Sequence, residues 1–458
     1  MDNSYSGQNV PANSTKFTKW LLILLFTVFV FFSGYVALRL KPGIAPDEVG
    51  HFEFSKLFSY TLGIPKDTET TNALGWQIAF NPFLYYWING RLIGLLKFIN
   101  STITDNQLLI VLRFSSVLYS FLNLVVFYKI LVELIHNEYF RLFSLFLFSQ
   151  TLMYVFLSGS VSYDNLTNLF CSLGILFFIR FLKNIKPIKN SFLLAISLTL
   201  ASLTKYTVVP LILFVLILWA FTVIRKKVNF KGGERISWGL ILVAVILVFA
   251  NIYLYGHNLI KFRGLTPACT DVLTLKQCDV NPFTVRSKEQ SLEHKMSISE
   301  SVAKGYPNPL EYVVYSWIPN MLYRIHGILG QESYFPSNII IVIYLLYVWY
   351  LLLAVRYIHR LPFVLSLLAL VLIGYSFVLL VMNYESELSY GFKQIAMQGR
   401  YIFPVISIFY ALIGYTLEHT NSKLLRFLTI TVSILLFLYA GPLKLLTKAN
   451  SLFPGWFG

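Results

Sequence analysis

The sequence predicts an all-α polytopic membrane protein with about eleven transmembrane helices, and three observations carry that prediction. Of its 458 residues, 56% are hydrophobic and only 13% charged, where a soluble domain is nearer one quarter charged. The apolar residues gather into stretches of the length that about 30 Å of hydrocarbon requires of a helix. Lysine and arginine, 37 against 21 acidic residues, concentrate in a few short loops between those stretches. Inside lipid each stretch must be helical, because an unpaired backbone amide there is costly.

The first stretch runs over 20–40. It is too long for a removed signal peptide and ends without a small-residue cleavage site, so it reads as a retained signal anchor. Others follow at 108–131, 139–158, 164–182, 190–204, 206–224 and 236–256, then at 338–355, 361–382, 400–417 and 424–440. The run from Ser191 to Ile224 is far too long for one crossing and has basic flanks on both sides. It is expected to be a hairpin with Lys205 at its outer turn. Residues 81–100, NPFLYYWINGRLIGLLKFIN, look like another span. A crossing there would push every later basic loop outside. They are therefore expected along the outer membrane surface as an amphipathic or re-entrant helix, with Asn81 as cap, Pro82 in the first turn, and Arg91 and Lys97 facing water.

Basic loops stay cytoplasmic. Lys16 and Lys19, RFLKNIKPIKN (180–190), RKKVNFKGGER (225–235) and RYIHR (356–360) are thus expected on one side, with the N-terminus. The net charge of +16 then reflects topology and anionic lipid rather than nucleic acid, for which no motif argues. The outer side receives the first outer loop (41–107), SGSVSYDNL (158–166), Lys205, a large loop (257–337), NYESELSYGFKQIAMQGR (383–400) and the C-terminal tail. The chain accordingly divides into a core, 1–256, the large loop, 257–337, and a C-terminal bundle, 338–458. Cys269 and Cys278 in the large loop are expected to be bridged in an oxidising compartment, with two free thiols as the alternative. Cys171, alone in a span, reads as a small core residue.

Directly after the first span, KPGIAPDEVGHFEFSKL (41–57) packs Asp47, Glu48, His51 and Glu53 into seven residues. One reading is an ordinary helix start, with Pro46 in the first turn and acids complementing the helix dipole. The other is catalytic. Adjacent helical residues diverge by about 100°, so Asp47 and Glu48 cannot share one role, and His51, one turn on, is near both. Asp164 opens another span at the same outer face, and Lys205 and Arg400 join it at outer helix ends. Each alone has a bland reading, a cap for Asp164 and snorkelling anchors for the two cations. Acids and bases converging on one face of a membrane bundle point instead to function. The mixture suits a nucleophilic hydroxyl and an anionic leaving group.

These residues resemble a family. P-D-E-x-x-H (46–51), N-P-F-L-Y-Y (81–86), S-x-S-Y-D-N (160–165), L-T-K-Y (203–206) and Q-G-R-Y-x-x-P (398–404) are, in that order, similar to an uncharacterised bacterial multi-pass family. That family is placed in the GT-C glycosyltransferase superfamily, beside protein mannosyltransferases and aminoarabinose transferases. The resemblance covers about residue 20 to 417, and Asn81-Pro82 stands where the family has His-Pro-Pro. It implies a GT-C-like bundle in the bacterial cytoplasmic membrane. The implied reaction moves a sugar from a polyprenyl-phosphate donor to an extracytoplasmic glycan, lipid or protein acceptor.

Under that resemblance Asp47 is the candidate base, Glu48 or His51 orients the acceptor or tunes the base, and Asp164 binds sugar hydroxyls or positions the nucleophile. Lys205 and Arg400 compensate the departing phosphate, with Arg91 and Arg113 in reserve. A divalent metal, if one takes part, would sit on Asp47 and Asp164, but the sequence requires none. Membrane lipids are the remaining partners. Two rival readings stand: a lipid-linked glycan polymerase or ligase at the same face, and a transporter or flippase. The lack of an internal repeat and the clustering of charge at one face weigh against the transporter.

Overall fold

The computed structural model describes residues 16–75, 77–225, 227, 234–281, 284–285, 296–305, 308–326, 337–390, 397–452 and 454–458. The core half holds α1 (Lys16–Arg39), α2 (Glu48–Ser59), α3 (Glu69–Asn72), α4 (Leu84–Ile99), α5 (Asp105–Leu134), α6 (Glu138–Ser149), α7 (Leu152–Ser158), α8 (Tyr163–Leu182), α9 (Pro187–Thr204), α10 (Val209–Ile224) and α11 (Trp238–Phe262). Short helices α12 (Cys269–Val272), α13 (Leu275–Cys278), α14 (Ile298–Lys304) and α15 (Ile318–His326) follow, then α16 (Ser337–Arg356), α17 (Phe363–Tyr390), α18 (Phe403–His419), α19 (Lys423–Tyr439) and α20 (Pro442–Leu452). Local chemistry sets several starts. Thr104 and Gln107 form a capping box on α5, Asn137 and Ser162 cap α6 and α8, and prolines occupy the first turns of α9 and α18.

Among the described residues nine helices are long and apolar enough to cross a membrane, or ten if α6 and α7 count as one span. The eleven expected crossings are therefore not all recovered. The segment 139–158 breaks between α6 and α7 with a 65° bend, where the Thr151 hydroxyl donates to the Leu147 carbonyl at 2.8 Å and meets the Tyr410 hydroxyl at 2.7 Å. The segment 338–355 is a helix whose described apolar part, Ile341–Arg356, falls short of a full span.

Side-chain contacts define the two ends of the bundle. At one, Thr18 donates to Glu138 (2.6 Å), Glu133 pairs with Arg180 and Lys183, Asn184 donates to the Lys227 carbonyl, and Glu234 accepts from the amides of Ile188 and Lys189. Glu418 caps the start of α6 there, and Tyr415 donates to the Arg360 carbonyl. All four basic segments thus gather at a single end. The opposite end carries the 41–107 loop, the 158–164 turn, Lys205 and Arg400.

In the first outer loop α2 and α4 pack closely: a Cβ on Gly90 would come within 2.7 Å of the Phe58 carbonyl carbon. At 16 residues α4 is not among the spanning helices. Its outward stripe of Trp87, Leu95 and Phe98 is exposed, as suits a helix lying at the headgroup boundary. Two details differ from expectation. Asn81 does not cap α4; its amide donates to the Gln77 carbonyl at 2.6 Å, and Phe83 holds the cap position. Arg91 does not face water either. It donates to the carbonyls of Phe58 and Thr61, taking acceptors that the end of α2 leaves without helical partners.

Cys269 and Cys278 are joined in a disulfide. Their loop docks on α3, where Asn281 donates to the Asn72 backbone and side-chain oxygens at 3.1 and 2.8 Å and Asn72 donates to the Gln277 carbonyl at 3.1 Å. The segment 456–458 folds back beside the end of α1, with Lys41 donating to the Trp456 carbonyl and Gly458 to that of Arg39.

Candidate active site

Asp47 occupies the N-terminal boundary of α2 with φ 61° and ψ 6°, and its side chain makes no capping hydrogen bond. The neighbouring residue explains the geometry. Glu48 is buried against Arg113, which grips it in two parallel bonds of 2.8 and 2.6 Å. The same guanidinium donates to the carbonyls of Leu40 (2.5 Å) and Ala37 (3.3 Å), while Glu48 accepts from the Val161 amide at 3.0 Å. The end of α1, the start of α2 and the turn before α8 are thereby tied into one knot, a bidentate buried pair being among the strongest such ties. With Glu48 turned inward, Asp47 is left pointing the other way.

There it pairs with Arg400. Arg400 also lies 3.6 Å from Asp164, which in turn pairs with Lys205. Ser162, not Asp164, caps α8, accepting from the Asp164 amide at 3.3 Å; the carboxylate is left free for the two cations. Three members of this chain of charges are enclosed, with side-chain exposures of 3% for Arg400, 5% for Asp164 and 4% for Lys205, whereas Asp47 is 24% exposed. Buried charges of this kind persist because they are paired. The Lys205 ammonium is also flanked by the rings of Tyr163 and Tyr401, each 4.6 Å away.

His51 completes the group. Its Nδ1 is 2.9 Å from the Tyr86 hydroxyl and its ring stands edge-on to Tyr163 at 4.4 Å. Burial pushes the imidazole down to about 4, against the pull of Asp47, so it is neutral at pH 7. Burial alone would push the Asp47 carboxyl up, but Arg400, with help from His51, outweighs this and holds it below the ordinary carboxylate range.

The structure thus brings together Asp47, His51, Asp164, Lys205 and Arg400, from α2, α8, the α9–α10 turn and the turn before α18. Glu48 and Arg113 lie behind them in the knot, and Arg91 sits at the far end of α2. Sequence reasoning missed Tyr86, Tyr163 and Tyr401, although Tyr163 and Tyr401 adjoin Asp164 and Arg400 in the chain and so share their approach to the site. Among the described residues no group of three or more His, Cys, Asp or Glu side chains is placed to hold a metal. The carboxylates of Asp47 and Asp164 face Arg400 and Lys205.

Two cavities meet at Tyr206, beside the charges. One lies under the first outer loop with Tyr86, Tyr163 and Lys205 in its wall. The other runs between α10 and α17 and is lined by Tyr375, Leu379, Met382 and Tyr401 among others.

Residues 94–254 match the family described as dolichyl-phosphate-mannose-protein mannosyltransferase. The archaeal oligosaccharyltransferase AglB from Archaeoglobus fulgidus, in complex with an inhibitory peptide and a dolichol-phosphate, is similar in structure at 12% identity, with 96% of this chain and 57% of that one covered and a TM-score of 0.50. The apo form of the Archaeoglobus fulgidus oligosaccharyltransferase gives 14% identity, 97% and 57% coverage and a TM-score of 0.51. ArnT from Cupriavidus metallidurans, bound to undecaprenyl phosphate, gives 14% identity, 88% and 61% coverage and a TM-score of 0.48. This chain therefore spans 57% of the length of the archaeal enzyme. No curated protein sequence matches the chain. The bundle, its outer loop and the two archaeal likenesses agree, and the chain shares the membrane fold of those oligosaccharyltransferases, a GT-C-like helical bundle.

Proposed function

We propose that this protein transfers a sugar from a polyprenyl-phosphate donor to an acceptor at the outer face of the cytoplasmic membrane, with Asp47 as the base. The observation that carries the reading is the contrast within the charge chain. Arg400, Asp164 and Lys205 are enclosed, while Asp47 alone of the four reaches open space. The fold supports it, since the archaeal enzyme of that fold is seen with a dolichol-phosphate.

In this reaction the acceptor oxygen forms a bond to C1 of the sugar, the bond from C1 to the phosphate oxygen breaks, and its electron pair leaves with the polyprenyl phosphate. The acceptor proton passes to the Asp47 carboxylate. Taking that proton removes one of the two negative charges that Arg400 faces, just as charge builds on the phosphate, so Arg400 can turn part of its charge to the leaving group. Lys205, in the wall of the cavity under the first outer loop, supplies the second cation. Asp164 holds both cations in place. The apolar groove between α10 and α17 suits the polyprenyl chain, and the cavity under the first outer loop suits the acceptor.

Asp47→Asn tests this directly. Asn also accepts hydrogen bonds and is tolerated at positive φ, so insertion and expression should hold while transfer from a defined polyprenyl-phosphate sugar in proteoliposomes falls by roughly 10² to 10⁴. Glu53→Gln is the control, because Glu53 is partly exposed and its ion pair among the described residues is with Lys56. Near-normal transfer by Asp47→Asn would falsify the base assignment and move the search to Asp164 or Glu48.

A further inference from the structure

Resting on that transferase reading, we infer that the cavity under the first outer loop is a binding site for a neutral sugar ring of the acceptor, and that Gln77 and Asn81 read its hydroxyls. The cavity has two kinds of lining. The aromatic residues Phe58, Tyr86, Tyr163 and Tyr206 are one, and the amide residues Gln77 and Asn81 are the other. A pyranose presents just these two surfaces, C–H faces that pack on aromatic rings and hydroxyls that each need a donor and an acceptor. A primary amide supplies both. Asn81 donates to the Gln77 carbonyl at 2.6 Å, and this bond leaves its Oδ1 as an acceptor.

Other ligand classes fit less well. An acidic sugar would call for a cation of its own, and the one in the wall, Lys205, is committed to Asp164 and, in the transfer reading, to the leaving phosphate. An extended peptide would call for an exposed strand edge, and the described residues hold only an isolated bridge, Leu40 to Phe457, elsewhere. A lipid tail would offer no donor to the Asn81 Oδ1, which the bond to the Gln77 carbonyl leaves open.

An independent observation concerns how the amide wall is held. The Asp67 carboxylate accepts from the backbone amides of Ile78 (2.6 Å) and Ala79 (2.9 Å), and Asn258 of α11 donates to the Phe80 carbonyl at 2.7 Å. Between the two amide residues, Phe80 has φ 66°, a left-handed conformation that a bulky aromatic residue rarely adopts. Its ring is stacked on His257 at 5.0 Å. Strain held in place by this many contacts is characteristic of preorganised recognition segments. The disulfide loop reaches the same segment through Asn281 and Asn72, whose side-chain oxygen accepts from the Gln77 amide at 3.5 Å and leaves the Gln77 Oε1 as an acceptor.

The full chain in detergent, probed by saturation-transfer NMR, tests the inference. The probes are the methyl glycosides of glucose, mannose and N-acetylglucosamine, with tri-alanine and methyl glucuronide as the competing classes. At least one neutral glycoside should receive saturation, and Gln77→Ala or Asn81→Ala should weaken it by roughly 5- to 10-fold, the loss of one neutral hydrogen bond. Glu53→Gln should leave it unchanged. Should Asn81→Ala lower the unfolding midpoint by releasing the Gln77 carbonyl, Gln77→Ala carries the test alone. Binding by none of the neutral glycosides, equal binding by folded Gln77→Ala, or stronger binding of tri-alanine or the glucuronide overturns the proposal. Loss of this site with Asp47-dependent transfer intact refutes the sugar site alone, whereas glycoside binding with Asp47-independent transfer refutes the catalytic reading alone.

Discussion

Asp47 holds a left-handed backbone that costs on the order of 1 to 2 kcal/mol for a residue with a Cβ, and the Glu48–Arg113 knot is what keeps it there. The sequence shows that Asp47 and Glu48 must diverge. Which of them would face the site was not legible, because it depends on Arg113, 65 residues away. Neither Asp47 nor Asp164 uses its side chain to cap its helix, which removes the cap reading of Asp164 and leaves the dipole reading of the acids at the start of α2 in place. Protonation follows from this geometry. Asp47 stays ionised below the usual carboxylate range and His51 stays neutral down to about 4. Transfer should therefore be level from pH 7 down to about 4, where His51 takes a proton, with the Asp47 carboxylate lost only at still lower pH. Stability should behave differently. An unfolded histidine binds its proton near 6.5 and folded His51 only near 4, so between these values the unfolded chain holds more protons and stability falls as pH falls. Below that range Asp47 adds to the loss. A pH–rate profile read beside unfolding midpoints checks both, and an acid limb near 6.5 would mean that His51 titrates as an unburied imidazole.

At the scale of elements, the decisive piece is the outer α2–α4 hairpin. By composition 81–100 could not be told from a span. Topological parity placed it outside, and in the structure its 16 helical residues and the grip of Arg91 on the α2 carbonyls hold it against its neighbour. Arg91 was misread as water-facing because a sequence does not reveal which helix end lies within reach of a long side chain. The break between α6 and α7 was equally hidden, since no proline or glycine marks Gln150-Thr151 and the bend rests on a tertiary bond to Tyr410. Two glycines in α4 test the hairpin. At Gly90 an added Cβ would sit 2.7 Å from the Phe58 backbone, whereas at Gly94 the nearest atom, the Ser59 carbonyl, is 3.8 Å away. Gly90→Ala should therefore destabilise by about 1 to 3 kcal/mol through overpacking and weaken transfer by displacing α2. Gly94→Ala should be neutral or slightly stabilising, by up to about 1 kcal/mol of helix propensity. Equal unfolding midpoints for the two variants would show that the contact of α2 with α4 is not tight.

Over the whole molecule, charge and topology agree. Lys16 and Lys19, the 180–190 and 225–235 loops and the 356–360 loop were grouped from lysine and arginine alone, and side-chain bonds among Thr18, Glu138, Glu133, Arg180, Asn184, Lys227 and Glu234 draw the first three into one end of the bundle. Tyr415 and Glu418 attach the fourth, through Arg360 and the start of α6. The charged site lies at the other end. Basic loops resist translocation, so the site should be extracytoplasmic. A single-cysteine scan decides this. Asn190 itself is buried and would not report, so the probe belongs at the exposed neighbour Lys189, with Thr68 as its counterpart in the first outer loop. The native thiols should stay silent, Cys171 because it is buried and the other two because they are bonded to each other. In intact cells an impermeant maleimide should label Thr68→Cys and miss Lys189→Cys, and permeabilised cells should label both. The parity of the chain makes the outcome sharp: one further crossing in 81–100 would place Thr68 and Lys189 on the same side. Labelling of both in intact cells, or of neither, would mean that α4 spans the membrane, and labelling of Lys189 alone would turn the active site toward the cytoplasm.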